Sequence, residues 1–267
     1  MPDVKAGGRK TILQLPETPL RRKFFEGGSV IHPAKMHLGM LWEIIENHTA
    51  PGDLVLDPMA GIGSTIFAAM LGRDVFTVEL EDRFVQSAKK SWDLLQVNGP
   101  MLGYRMGAVS MIQGDATRLP VSQVDSIVFS PPYEEALSGA GIAINGKEDD
   151  PNLANRIYSS AVMDASEGNI GALKGAGYWS AMSDVYRECA RVLKPNGRMT
   201  IVLRDVIRKG VLIGLTQSTV DMVEEMGLQC EERWDRELYS LSFFRTLQKR
   251  KGLPVPTREH VLVFRKE

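Results

Sequence analysis

From Met36 onward, short apolar runs alternate with stretches whose apolar residues recur every three or four positions. Met36, Met40, Leu41, Ile44 and Ile45 fall at helical spacing and predict an amphipathic helix over 36–48. Pro51-Gly52-Asp53 marks a turn, after which Leu54-Val55-Leu56-Asp57 reads as a short buried strand. The same patterns predict a helix over 64–71, a strand over 74–79, a helix over 82–97, and strands over 109–113 and 126–129. A helix over 180–193 follows, its stop marked by Lys194-Pro195-Asn196-Gly197. A fifth strand over 198–203, a helix over 216–226 and two closing strands over 229–234 and 260–265 complete the series. Strands alternating with helices require an α/β fold, a doubly wound, mostly parallel Rossmann-like sheet of about seven strands. The last two strands have no helix between them and are expected to pair antiparallel.

Two stretches break this rhythm. Residues 134–177 are rich in Gly, Ala, Asn and Asp and only weakly periodic, which predicts an irregular insertion above the carboxyl edge of the sheet. Residues 1–30 are expected to form an N-terminal arm ahead of a single catalytic domain over 31–267.

Composition adds mainly exclusions. The 267 residues are 43% hydrophobic and 24% charged, ordinary for a globular protein. The apolar runs are strand-sized, so no membrane partner is expected, and Met1-Pro2-Asp3-Val4-Lys5 lacks a secretion signal. Two cysteines, Cys189 and Cys230, and four scattered histidines assemble neither a disulfide framework nor a metal site, and the expected setting is the reducing cytoplasm. A net charge of −1 argues against indiscriminate nucleic-acid binding. Local charge is less even. Residues 1–29 carry net +3, residues 134–177 net −4, and Arg245, Lys249, Arg250 and Lys251 form a basic run without an acid. These permit a nucleic-acid partner on a local basic rim without requiring one.

Candidate chemistry begins at Asp57-Pro58-Met59-Ala60-Gly61-Ile62-Gly63-Ser64-Thr65, which reads as a strand end, a glycine loop and a helix start. Gly61 and Gly63 permit a tight turn and close ligand approach, and the helix start offers free backbone donors. Glu79, closing the second strand, is placed to accept from ribose hydroxyls, and Asp115, after the third, to accept from an adenine amino group. A nicotinamide-binding loop usually has a third glycine where this chain has Ile66, and Asp57 would repel a pyrophosphate. An acid there suits the sulfonium and amino group of S-adenosylmethionine.

The second feature is Ser130-Pro131-Pro132-Tyr133, directly after the apolar run Ser126-Ile127-Val128-Phe129. The prolines stop the strand and prevent a helix from following. A hydroxyl, a backbone carbonyl and an aromatic face then stand together, a combination suited to a flat heterocycle bearing an amino group.

With these residues in view, the chain resembles the S-adenosylmethionine-dependent DNA amino-methyltransferases, which act on cytosine N4 or adenine N6. Residues 57–65 resemble the family's cofactor loop, Ser130-Pro131-Pro132-Tyr133 its catalytic motif, and His32-Pro33-Ala34-Lys35-Met36 the segment that precedes the cofactor loop. Residues 191–197 and 259–266 are weaker echoes, and 134–177 has no counterpart. The resemblance implies direct methyl transfer to a flipped-out base, with Ser130, Pro131, Pro132 and Tyr133 catalytic. It implies a cofactor site formed by Lys35, Asp57, Pro58, Met59, Ala60, Gly61, Gly63, Ser64, Thr65, Glu79, Asp115 and Ser130. Serine at the first motif position leans towards cytosine N4, with adenine N6 as the alternative. Methylation of cytosine at carbon 5 is excluded, because it needs a cysteine nucleophile where this chain has Tyr133.

DNA, duplex or single-stranded, is the expected partner, and RNA the alternative polymer. The net negative insertion is a poor phosphate grip, which keeps the RNA alternative open. A binding protein that has lost turnover is disfavoured by the intact loop, Glu79, Asp115 and Ser130. Asp205 is expected either to cap the next element or to line the site, and Tyr178 and Trp179 to pack rather than stack on a base.

Overall fold

The computed structural model describes residues 17–31, 35–134, 166–208, 211–238, 250, 252 and 257–267. Two short helices open it, α1 (Glu17–Phe24) and α2 (Gly27–Ile31), followed by α3 (Leu38–His48) and β1 (Leu54–Asp57). A 3-10 helix (Ser64–Leu71), β2 (Asp74–Glu79), α4 (Asp82–Asn98), β3 (Val109–Gln113) and β4 (Val124–Phe129) follow. After a 3-10 turn (Ile170–Ala172) come α5 (Gly175–Val192), β5 (Leu193–Leu203), the hairpin strands β6 (Val206–Arg208) and β7 (Val211–Ile213), α6 (Leu215–Glu224), β8 (Leu228–Glu237) and β9 (Arg258–Lys266).

Seven strands form one sheet in the order β3-β2-β1-β4-β5-β9-β8, parallel from β3 to β5, with β9 antiparallel to both β5 and β8. The doubly wound sheet and its antiparallel closing pair are as the alternation of elements requires. Successive strand residues enter opposite layers. Val55, Val75, Val128, Val202, Val261 and Val263 pack under α3 and the 3-10 helix. Leu56, Val78, Ile127, Phe129, Ile201, Leu262 and Phe264 pack under α5 and α6. Burial on both faces is why these strands read as continuous apolar runs rather than as alternating ones.

Several local expectations are corrected. Residues 64–71 wind as a 3-10 helix, all eight buried between Gly63 and Gly72, both left-handed. The tighter winding carries the chain further per residue than an α-helix would. Helix α5 starts at Gly175, before the expected 180, and the 194–197 stop signal lies inside β5, not before it. Leu193 already pairs with Val124, the segment then bulges with Asn196 at φ 63°, and pairing resumes at Ser126 with Arg198. Helices α1 and α2 and the β6–β7 hairpin were not anticipated, since segments of three to eight residues carry too few periods to register. Most of the insertion, 135–165, lies outside the described residues, as do His32-Pro33-Ala34 and nearly all of the basic run. Among the described residues, no helix is long and apolar enough to cross a membrane.

One buried charge joins the layer above the sheet. Arg73, 2% exposed, donates through Nη2 to the carbonyls of Ile45 (3.2 Å) and Thr49 (2.9 Å) and through Nε to Thr49 Oγ1 (2.8 Å). It thereby satisfies carbonyls at the end of α3. Arg73→Met is expected to cost about 1–3 kcal/mol, because the Thr49 carbonyl would lose its donor, whereas Ile45 O would keep those from Thr49 N and Thr49 Oγ1. Urea unfolding of the variant beside the parent checks this; a change below about 0.5 kcal/mol would contradict it.

Candidate active site

Strands β1 to β4 are parallel, so Asp57, Glu79, Gln113 and Phe129 end at one edge of the sheet. The chain proceeds outward from β1 to β2 and β3, then returns to place β4 on β1's other side. Connections leave β1 and β4 in opposite directions, which opens a crevice beyond their carboxyl ends. The glycine loop leaves β1 at this point, and Ser130-Pro131-Pro132-Tyr133 leaves β4 beside it.

The loop is held by its own backbone. Ala60 N donates to Val78 O (3.0 Å) and Gly63 N to Ala60 O (2.8 Å). Gly61 and Gly63 have φ of 52° and 76°, conformations that disfavour any residue with a Cβ. The two differ in surroundings. A Cβ on Gly63 would lie 2.6 Å from Ala88 Cβ on α4, whereas one on Gly61 would meet nothing within 4 Å and would point into open space. Pro58, Ala60, Ser64 and Thr65 are buried and Met59 is half-buried.

Two acids line this loop. Asp57, 4% exposed, accepts from Thr65 Oγ1 (2.6 Å) and Met59 N (3.0 Å). Burial, with a smaller contribution from the nearby Glu79 charge, raises its carboxyl from 3.8 to about 7. Glu79 accepts from Gly61 N (2.6 Å) and Glu81 N (2.9 Å), and burial raises it as well. Buried acids of this kind fit a ligand with positive charge, which would offset their desolvation. Asp115 is exposed and accepts from Thr117 N (2.8 Å), one residue beyond Gly114, whose N–H donates to Glu79 O (2.9 Å). Lys35 is half-buried ahead of α3; burial, then the nearby Arg21 charge, lowers its ammonium.

At β4, Pro131 is buried while Ser130, Pro132 and Tyr133 are half-buried. Tyr178, from α5, donates its hydroxyl to Pro132 O (2.9 Å), so that carbonyl is taken. Among the described residues, no donor engages the Ser130 hydroxyl or the Pro131 carbonyl. The Arg204 guanidinium, just beyond β5, lies 5.7 Å from the centre of the Tyr133 ring. Cys189 is buried within α5 and Cys230 lies on β8, at the sheet's outer edge. Asp205 accepts from Thr216 N (3.0 Å) and Oγ1 (2.7 Å) and so holds the start of α6.

Loop, Glu79, Asp115 and the Ser130–Tyr133 motif thus share one sheet edge, with Lys35 nearby on another layer. Four participants escaped sequence reasoning: Arg21, Glu81, Tyr178 as a donor, and Arg204. Glu81 accepts from Ser166 N (2.9 Å), Ser166 Oγ (3.0 Å) and Asn169 Nδ2 (2.8 Å), tying residues 166–169 to the chain just past Glu79. Its only signal was a second acid close behind Glu79, which is equally common on a solvated helix start.

Residues 10–90 match the DNA methylase family model for N6 and N4 methyltransferases. A Type II methyltransferase, M2.MboI of Moraxella bovis, is 37% identical over 62 residues, which are 23% of this chain and 23% of that protein. The resemblance to DNA amino-methyltransferases therefore holds over the segment that carries Lys35, the glycine loop and Glu79. A methyltransferase from Pyrococcus furiosus superposes with a TM-score of 0.53 at 13% identity, covering 94% of both chains. An S-adenosylmethionine-dependent methyltransferase from Methanosarcina mazei superposes with a TM-score of 0.50 at 15% identity, covering 84% of this chain and 96% of the other. The fold is that of Rossmann-like methyltransferases.

The raised Asp57 carboxyl has a measurable consequence. The folded state holds a proton between pH 3.8 and about 7 that the unfolded state has released. Stability contributed at this position is therefore full below about pH 4 and declines as pH rises towards 7. Asp57→Asn removes that dependence. The parent is expected to lose stability relative to the variant between pH 4 and 7.5, by at most about 4 kcal/mol. Unfolding curves at several pH values test this, and parallel profiles for the two proteins would contradict it.

Proposed function

We propose that this chain is an S-adenosylmethionine-dependent methyltransferase acting on the exocyclic amino group of a DNA base, with cytosine N4 as the first target. The matched family and the methyltransferase fold support S-adenosylmethionine as the methyl donor. The observation that carries the acceptor half is a pair of acceptors that no donor among the described residues engages, Ser130 Oγ and Pro131 O, at the end of β4 beside the glycine loop of β1.

When bound, S-adenosylmethionine supplies a methyl group made electrophilic by a sulfonium centre. Asp57, Glu79 and Asp115, with Lys35 and the open side of Gly61, are the groups that would hold it. An exocyclic amine is a weak nucleophile, because its lone pair is delocalised into the ring. Ser130 Oγ and Pro131 O each accept an N–H of that amine, which favours a pyramidal nitrogen and frees the lone pair. Tyr133 stacks on the base, so Arg204 moves off the ring face when a base arrives. The protein then contributes orientation and electrostatics, with no covalent intermediate. A planar base reaches these groups only once unstacked, so flipping from a duplex is part of the proposal. Serine at position 130 supports cytosine N4 ahead of adenine N6.

Incubation with tritiated S-adenosylmethionine and duplex DNA, single-stranded DNA or total RNA tests the proposal, followed by nucleoside analysis of the labelled polymer. Label is expected in DNA as N4-methylcytosine. Label as N6-methyladenine would overturn the cytosine assignment, and label in RNA alone would overturn DNA as the substrate. Ser130→Ala is expected to lower kcat about 10²–10³-fold. Tyr133→Ala is expected to raise KM for the polymer more than it lowers kcat. A Ser130→Ala protein as active as the parent would remove the motif's catalytic role.

A further inference from the structure

None of the motifs read from the sequence falls on helix α1, yet two of its side chains reach both segments implicated in holding the methyl donor. Arg21 is fully buried, at 0% exposure. Its Nη1 donates to Ser29 Oγ (3.0 Å) on α2 and to Ser64 Oγ (3.2 Å), the first residue of the 3-10 helix that follows the glycine loop. Its Nη2 donates to Met36 O (2.6 Å), and its Nε to Glu17 Oε1 (2.5 Å) one turn back. Glu17 Oε2 in turn accepts from Leu38 N (2.9 Å), the first residue of α3. The pair thus grips the backbone on either side of His37, directly after Lys35, and also grips Ser64.

An ion pair at i,i+4 on a helix surface is worth a few tenths of a kcal/mol. Here the guanidinium is fully buried while Glu17 stays partly exposed, and burying a guanidinium merely to pack α1 is a poor solution, since a methionine or leucine would fill the volume without desolvating a charge. What a planar guanidinium adds is a rigid fork that meets acceptors on several segments at fixed angles. Those segments are α1, α2, the Lys35–Leu38 stretch and the start of the 3-10 helix. The pair's charges also reach Lys35, whose ammonium is lowered by burial and then by Arg21 and raised by Glu17.

We infer that Glu17 and Arg21 are a positioning pair for the methyl-donor site, setting the Lys35 segment in register with the glycine loop, so that helix α1 is a working part of that site. This rests on the assignment of the loop to S-adenosylmethionine. The pair touches neither donor nor acceptor; it acts through Ser64 and the backbone at Met36 and Leu38.

The test measures binding of S-adenosylhomocysteine to the full chain by titration calorimetry, well below the melting temperature of each variant. Arg21→Met is expected to weaken the Kd about 10–100-fold, and Arg21→Lys to restore only part of it, since an ammonium lacks the fork. Ser64→Ala is expected to weaken binding several-fold, with much less further loss when combined with Arg21→Met, as expected of residues in one network. An Arg21→Met protein with a lowered melting temperature but a Kd within twofold of the parent would show a packing role only and overturn the inference. Should Arg21→Met fail to fold, Glu17→Gln and Ser64→Ala decide: two unchanged Kd values overturn it, and weakened binding in both supports it. A parent chain that binds no S-adenosylhomocysteine would sink the donor-site assignment and this inference with it. Binding by the parent that all variants share would sink the inference alone.

Discussion

The parallel pairing of β1 with β4 is the constraint on which the site depends. Val55 pairs with Ser126 and Leu56 with Ile127, which brings together two strands that the chain visits with two other strands in between. Parallel strands end at the same edge, and here their connections diverge. The crevice between them is therefore bounded on one side by the glycine loop and on the other by the Ser130–Tyr133 motif. The arrangement follows from backbone hydrogen bonding and from burial of both sheet faces, and the proposed chemistry would use the opening they leave.

That opening is lined at an electrostatic cost. Asp57 and Glu79 are carboxyls withdrawn from water, each accepting from protein donors and each raised because those donors do not fully replace hydration. Gly61 donates to Glu79 while leaving open space on its own far side. The acids thus shape the loop that they border. A site organised in this way is pre-formed in geometry but unbalanced in charge, a condition that a cationic ligand relieves.

Around this sheet, connections without strand pairing are fixed by buried polar side chains. Arg21 holds the N-terminal helices to the 3-10 helix, Arg73 holds the end of α3, and Glu81 holds the 166–169 segment. Arg21 and Arg73 donate to buried or half-buried backbone and hydroxyl oxygens, and Glu81 accepts from the exposed Ser166 and the half-buried Asn169. Each also carries a desolvation cost that offsets part of what its hydrogen bonds contribute.

Local pattern and local stereochemistry control the features that can be read along the chain. Apolar runs and helical spacing specify the order of strands and helices, and hence the doubly wound sheet and its antiparallel closing pair. Gly61 and Gly63 specify a loop that only they adopt freely, and Pro131-Pro132 specify where β4 must stop. The positions of Asp57, Glu79 and Ser130 at strand ends follow directly. Boundaries were less legible where long-range contacts override local signals: Asn196 and Gly197 do turn, but within a strand that Val124 already pairs. Tertiary structure alone decided which polar residues became buried partners. Nothing in the sequence distinguishes Arg21 from Arg22, and only packing puts the first at 0% exposure against Ser64 and leaves the second exposed. The same holds for Tyr178, which packs as expected yet also donates its hydroxyl to the Pro132 carbonyl. Periodicity reports which face of an element is buried; it does not report which distant residue that face will meet.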